Sequence, residues 1–573
     1  MYLPMAMGTS KPGRKIRSGS AHGFLVLLMF FSLVPTRPRG NAYPSADGSH
    51  AGAGRNGREK TLYPPSLKTW LLLACSVFLW ACDGGPVSPP LDAAPKAIRF
   101  GLAASPITLD PRFDTDATSM RINRLIYDRL VDFDEASRPI PALAKWHRVT
   151  PLHYRFTLTQ KRRHFHNGSP LTASDVKATY DSVLDKELAS PHRSMLTVIR
   201  EITILDPDTV DFHLHTPDLL FPGRLSLGIL PIEAIARGHP FNRKPIGSGP
   251  LALWEWPEEG RLRLRRLADG RIIEFLHVPE ATVRVLKLLR GEIDLIQNDI
   301  LPELTAWLSK RPDVVVRTGS GTNFSYLGFR MDDPVTGKLA VRGAIAHGLD
   351  REAIIRHVWG GAARPANGLL PPGHWAGHPT LEPLAFDPAK ARALLAEAGY
   401  SEAHRPKLTY KISSNPLRVR LATIIQDQLR QVGMDVDIRG YDWGTFYGDI
   451  KAGRFQLYSL AWVGIRIPDI FRYAFHSESI PPAGANRGRF IDALADHLIE
   501  AAETAPTPTE QAALYRELQT HLLVRLPYVP LWYEDNVLVT RGDITGYALT
   551  ADGSYDGLVH VRRLVGEEVE GMR

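Results

Sequence analysis

The chain has only two cysteines, Cys75 and Cys82, and neither is placed to brace a fold. Cys82 closes a twelve-residue apolar run, Trp70 to Ala81, as Leu79-Trp80-Ala81-Cys82, with basic Lys68 just upstream. A bilayer takes about 20 apolar residues to cross, so this run is too short to span one. Its length is that of the apolar region of a secretory signal. A cysteine after Leu-x-Ala at the end of such a run resembles the bacterial lipobox, whose cysteine is acylated and becomes the first mature residue. Cys75 then leaves with the signal and Cys82 carries lipid, so the mature chain has no disulfide available. About 490 residues must be held by burial alone, and single cores stop growing near 250–300 residues, which predicts two or three domains.

The formal charge of +8 is a property of the leader. Ten of the 69 basic and two of the 61 acidic side chains lie in residues 1–81, leaving 59 of each from position 82 onward. A neutral mature chain gives no electrostatic footprint for nucleic acid. A second apolar run, Phe24 to Val34, follows Lys11, Arg14, Lys15 and Arg17, and residues 35–60 are rich in Gly, Pro, Ser and Arg. Two signal-like runs in series place the true start downstream, with residues 1 to about 60 outside the working gene product. Residues 82–95, with Pro86, Pro89, Pro90 and Pro95, read as a tether.

From Ala97 the pattern is globular. Ala97–Leu102, Val210–His215, Arg261–Leu267 and Met434–Ile438 alternate like strands. In 387–400, Asp387 suits an N-cap, Pro388 the first turn and Gly399 the C-terminal cap, with Ala391, Leu394, Leu395 and Ala398 on one stripe. The segment 416–432 starts at Pro416 and stops at Gly433, and helices also read at 173–187, 281–290, 340–357, 488–504 and 508–525. Strands and helices alternating without a short repeat predict an α/β fold.

Several segments carry a family resemblance. Ile107 to Pro111, Phe165 to Val176 and Pro245 to Pro250 resemble, in order, markers of the family 5 extracellular solute-binding proteins, the dipeptide, oligopeptide and nickel receptors of ABC importers. Gly291 to Leu295, Val341 to Ile345 with Leu349 to Arg351, Phe386 to Tyr400, and Trp462 to Phe471 continue the series, which covers about 96–545. The resemblance implies a bilobal periplasmic-binding-protein fold of class II, in its large peptide-receptor form. Lobe I would span 96–317, lobe II 318–531, and 532–573 would return to lobe I. Strands near Ser320-Gly321-Thr322 and Leu531-Trp532 would cross between the lobes, and closure would be a hinge motion. The partners implied are a membrane permease with its ATPase, a peptide or other small solute, and the inner membrane reached through the lipid. A monomer without cofactor, metal or nucleic acid is expected. Asp83, directly after Cys82, favours inner-membrane retention in the periplasm.

The implied ligand cleft gathers Trp443, the segment Trp462, Val463, Gly464, Ile465 and Arg466, then Asp469, Thr322, Asn323 and the position of Ile412. In the dipeptide and oligopeptide receptors an aspartate three residues after the cleft tryptophan holds the amino terminus, and in the dipeptide branch an arginine three residues before an Asn-Pro pair holds the carboxylate. Those positions are Ile465 and Ile412 here. Leaving a buried terminus without its partner costs about 3–5 kcal/mol, at least ~100-fold in affinity. Asp469 is the substitute candidate for an amine, Arg466 or Arg330 for a carboxylate. Histidines two apart (His164 and His166, His213 and His215) and the pair His374 and His378 are the metal candidates, although none lies near a cysteine. His166 falls at a position common across the family, which favours a structural role. No Gly-x-Ser-x-Gly elbow or phosphate loop occurs, which argues against an enzyme. Two other readings stay open: a receptor for a nickel–chelator complex, and a cytosolic regulator with a receptor-like domain, which an export signal contradicts.

Overall fold

Residues 97–159 and 163–564 are described by a computed structural model; Cys82 and the tether lie outside the described residues. The four alternating stretches form the strands Ile98–Leu102, Thr209–Leu214, Arg261–Arg266 and Asp435–Tyr441. Helix Pro388–Glu397 is capped as expected: Asp387 accepts from the Lys390 amide at 2.9 Å, and Gly399 takes φ +88° past its end. Three helices differ from expectation, the one from Ala173 only in ending at Leu184 instead of 187. The single helix expected over 340–357 is two, Leu339–His347 and Arg351–His357, because Asp350 accepts from the Ala353 amide at 2.8 Å and starts a second one. The helix expected from 488 begins only at Ala493, capped by Asp492, since Arg489 sits in the left-handed region at φ 58°. An apolar stripe fixes a helix face but not the residue at which a carboxylate captures its free amides.

An eleven-stranded sheet joins the described residues. Its order is Asp435–Tyr441, Lys407–Ser413, Leu457–Trp462, Val314–Phe329, Tyr528–Arg541, Leu295–Gln297, Ile98–Leu102, Ile272–His277, Arg261–Arg266 and Leu251–Glu258, with Ala363–Pro365 added alongside Tyr528–Arg541. Val314–Phe329 and Tyr528–Arg541 are long and antiparallel, from Val314 opposite Arg541 to Gly328 opposite Tyr528, with a register shift between Gly319 and Asn323. Each end has its own neighbour. Leu457–Trp462 pairs with Phe324–Phe329, while Leu295–Gln297 pairs with Leu538–Thr540.

The apolar side chains divide at the same place. Two clusters draw only on residues between Phe324 and Tyr533. Three others draw only on residues before Arg317 and after Asn536. One of these packs the four-stranded sheet of Ala144–Thr150, His153–Leu158, Thr209–Leu214 and Ile199–Asp206 against helix Ala173–Leu184. The fold is therefore α/β and bilobal, with the lobes joined through the two long strands. At the crossover, a Cβ on Gly321 would lie 2.0 Å from the Glu534 carbonyl oxygen, so only glycine lets the strands pass this closely.

Candidate functional site

The two lobes meet along a seam crossed by charge pairs. Arg224, on the lobe carrying the four-stranded sheet, donates from Nε to Asp218 at 2.7 Å and from Nη1 to Asp469 at 3.0 Å. Arg466 reaches the other way, donating from Nη2 to Asp552 while its guanidinium lies 5.4 Å from the Phe133 ring centre. The Trp375 amide donates to the Ala136 carbonyl at 3.0 Å. A Cβ on Gly223 would meet the Ile467 side chain at 2.8 Å. The segment after the cleft tryptophan thus spans the seam, with Arg466 and Asp469 both facing the opposite wall.

The electrostatics of the two pairs differ. Burial alone would raise the Asp552 carboxyl, yet the guanidiniums of Arg466 and Arg124 hold it well below the usual range. Burial raises Asp469 to about 6 against the pull of Arg224, with Asp218 and Glu503 adding repulsion. An acid whose pKa is higher in the closed arrangement binds its proton more tightly there, so closure is favoured as pH falls from about 6 towards 4. Fluorescence transfer between one dye on each lobe is expected to show a larger closed fraction at pH 5 than at pH 8, and Asp469→Asn to flatten that dependence. An unchanged slope in the variant would refute it.

The sequence-predicted cleft residues do not all come together. Trp443 opens helix Trp443–Lys451 behind its cap Asp442, is 59% exposed, and stacks on Tyr447 with ring centres 5.4 Å apart. Trp462 ends its strand half-buried, stacked against Tyr326 at 6.4 Å and edge-on to Tyr473 at 6.1 Å. Val463 is exposed, Gly464 takes φ +70°, and Ile465 packs on the lobe II core. Thr322 and Asn323 sit at the crossover, where the Thr322 amide donates to the Ala551 carbonyl at 3.1 Å and Asn323 lies opposite Glu534.

Two expectations are corrected. Ile412 is 1% exposed inside the lobe II core, in phase with Leu408 and Tyr410, which makes it a packing residue. Arg330 is consumed locally by Asp332, at 2.8 Å from Nη2, and by the Gly453 carbonyl.

Sequence reasoning missed the remaining charges of the seam. Arg418, next to the Asn415 cap of its helix, donates to Glu534 at 3.0 Å, and Glu534 also accepts from the Ser325 hydroxyl at 2.7 Å. Asn298 and Asp299 are both left-handed, at φ 61° and 53°, and the Asp299 carboxyl lies within electrostatic reach of Glu534 and Arg418. Strain of this kind persists where the surroundings over-determine it. A cavity of about 280 Å³ lies in lobe I between Arg124, Asp128, Arg129, Asp132, Pro250 and Asp556, where Arg124 pairs with Asp132 and Asp556 and Arg129 with Asp132.

The histidines resolve differently from their sequence spacing. His166 bonds the Gly249 carbonyl at 2.9 Å, and His374, pushed down to about 4 by burial, bonds the Arg466 carbonyl at 3.0 Å. His213 faces His153 on the neighbouring strand rather than His215, with ring centres 4.4 Å apart, and Asp211 completes a group of three possible metal ligands. Arg155 donates to both Asp211 oxygens at 2.8 Å, so a cation there would have to displace a guanidinium.

Known proteins share this fold. A profile of the bacterial extracellular solute-binding proteins, family 5 Middle, fits residues 138–479. The chain is 27% identical over 500 residues to Di/tripeptide-binding protein 3 of Pseudomonas aeruginosa, covering 79% of this chain and 92% of that one. It is 25% identical over 543 residues to Heme-binding protein A of Haemophilus influenzae, covering 86% and 98%. The structure of the periplasmic binding protein DppA from Helicobacter pylori in complex with peptide STSA superposes with TM-score 0.70 at 26% identity, covering 82% of this chain and 98% of that one.

Proposed function

We propose, for a chain that belongs to the bacterial extracellular solute-binding proteins of family 5, that it captures peptides or peptide-like solutes between its lobes and delivers them to the membrane permease of an ABC importer. The observation that carries this is the seam itself. Two separate cores are joined by two crossing strands, and aromatic and charged side chains from both walls converge beside them. Such a clamp works by preferential contact of solute with the closed form, which shifts a pre-existing balance. Relatives named for dipeptides, tripeptides and oligopeptides support a peptide-class solute. We place the lobe boundaries at the crossover, near 319–323 and 534–536, close to the expected divisions at 317/318 and 531/532.

Titration with a tryptic digest of casein, followed by native mass spectrometry, tests the reading. Retained peptides are expected; a protein that takes up none from a digest spanning many lengths and side chains would argue for a non-peptide solute.

Cys82 is proposed as the acylated first residue of a periplasmic lipoprotein at the inner membrane. Each buried methylene adds roughly 0.8 kcal/mol, so two or more chains anchor lastingly. No helix of the described residues is long and apolar enough to cross a membrane. Cys82→Ser is expected to abolish incorporation of labelled palmitate and to move the protein to the soluble fraction. Continued labelling of the variant would rule the site out.

A further inference from the structure

Four arginines, Arg284, Arg342, Arg351 and Arg487, are buried without a described ion-pair partner, and one of them differs from the rest. Arg342 donates to four backbone carbonyls at 2.8–2.9 Å, and Arg351 to three at 2.6–3.1 Å. Arg284 likewise binds carbonyls, those of Val278 and Pro279 at 2.6 and 3.0 Å. Such guanidiniums tie segments together through backbone carbonyls. Arg487 is 6% exposed and has only two long bonds, from Nη1 to the Tyr326 hydroxyl at 3.2 Å and from Nη2 to the Tyr447 hydroxyl at 3.3 Å. Its charge otherwise rests on ring faces, 4.8 Å from the centre of Trp462 and 5.5 Å from that of Tyr447. Ring faces and neutral phenols offset only part of the cost of burying a cation.

The position is built, not incidental. Asn486 clamps the segment, accepting from the Phe490 amide at 2.8 Å and donating to the Phe490 and His476 carbonyls at 2.6 and 3.1 Å. On the next residue, a Cβ at Gly488 would strike the Phe329 carbonyl at 2.4 Å, so the backbone is seated against the long strand. The rings around the guanidinium lead outward: Tyr447 lies under exposed Trp443, and Trp462 under Tyr473, which is 49% exposed. Beside it, Trp462 Nε1 is a buried donor without an acceptor among the described residues. A preorganised, desolvated cation inside an aromatic frame suits a carboxylate, which Arg binds with two parallel bonds.

We propose that Arg487 is the carboxylate anchor of the bound solute, taking over the charge that the Ile412 position does not provide. This rests on the solute-receptor reading above and specifies one end of its ligand.

The full chain, Arg487→Met and Arg487→Lys are compared with two probes: a casein tryptic digest, and the same digest methyl-esterified at its carboxyls. Wild type is expected to bind the free acids at least 100-fold more tightly than the esters, by tryptophan fluorescence and native mass spectrometry. Arg487→Met loses at least 100-fold towards the acids, while its melting temperature without added solute stays level or rises. Arg487→Lys falls between. A merely structural arginine would instead lower the melting temperature in the methionine variant. Equal binding of acids and esters, wild-type affinity in Arg487→Met, or a methionine variant that melts lower overturns the proposal. If wild type retains nothing from the digest, the peptide reading fails on its own. Arg487 is then judged on the small-molecule fraction of a periplasmic extract, where an acid kept by wild type and lost by Arg487→Met sustains it and the absence of any retained acid overturns it.

Discussion

Replacing Asp552 with alanine is expected to open the lobes and weaken solute capture by at least 100-fold. Asp552 is the acceptor for Arg466 across the seam, and the two side chains are equally and mostly buried. Removing one partner of a buried pair typically costs about 3–5 kcal/mol, because the other charge stays desolvated. Here the cost is aggravated, since burial and then Arg124 and Arg129 already depress the Arg466 pKa, and Asp552 is the nearest relief. Small-angle scattering should show a larger radius of gyration for Asp552→Ala than for wild type at the same solute concentration. The double variant Arg466→Met with Asp552→Leu should recover much of the closed population, because a matched apolar pair carries no desolvation cost. A variant Asp552→Ala that scatters and binds like wild type would remove the pair from the closing mechanism. Since the Asp552 carboxyl is held low, its contribution is complete above about pH 4 and lost on further acidification, the window in which Asp469 no longer opposes closure.

The second large effect is expected at the crossover. Gly321→Val should lower the melting temperature sharply, because its Cβ would be driven into the Glu534 carbonyl at 2.0 Å, with Asp535 Cα at 3.2 Å behind it. Overpacking in cores costs roughly 1–3 kcal/mol, and a backbone carbonyl fixed by a strand yields less than a side chain does. The same glycine also donates to Asp535 Oδ1 at 3.2 Å and accepts from Arg364, which in turn holds Asp535 at 2.9 Å, so a displaced strand breaks that group as well. Gly319→Ala is the control two residues away. Its Cβ would find only the Leu549 side chain at 3.5 Å, an ordinary contact, and its melting temperature should barely move. Equal melts for the two variants would mean that the close approach at Gly321 is not what sets the crossing.

Much of the architecture was legible because it is written locally. Asp387, Pro388 and Gly399 bracket a helix within fourteen positions, and each acts through neighbours in sequence. The strand crossings expected near Ser320-Gly321-Thr322 and Leu531-Trp532 rested on the ordered family segments and not on any local pattern. The site was less legible, because its contacts are between residues far apart in the chain. Arg224 and Asp469 are 245 residues apart, and Arg466 and Asp552 are 86 apart, so no spacing rule pairs them. Asp469 and Arg466 were therefore read as spare charges for a solute, when each already faces a partner on the other lobe. Ile412 was within reach of the sequence. It alternates with Leu408 and Tyr410 on the inward side of its strand, and Lys407 and Thr409 on the other side are more open. Arg487 had no such signal, since what sets it apart is the lack of a carboxylate around a buried guanidinium.

The most direct measurement is small-angle scattering of the acyl-free protein with and without the casein digest, paired with mass spectrometry of what stays bound. A two-lobed clamp should contract on addition of the digest and retain peptides bearing free carboxylates. An unchanged scattering profile together with no retained solute would contradict capture by closure of the lobes.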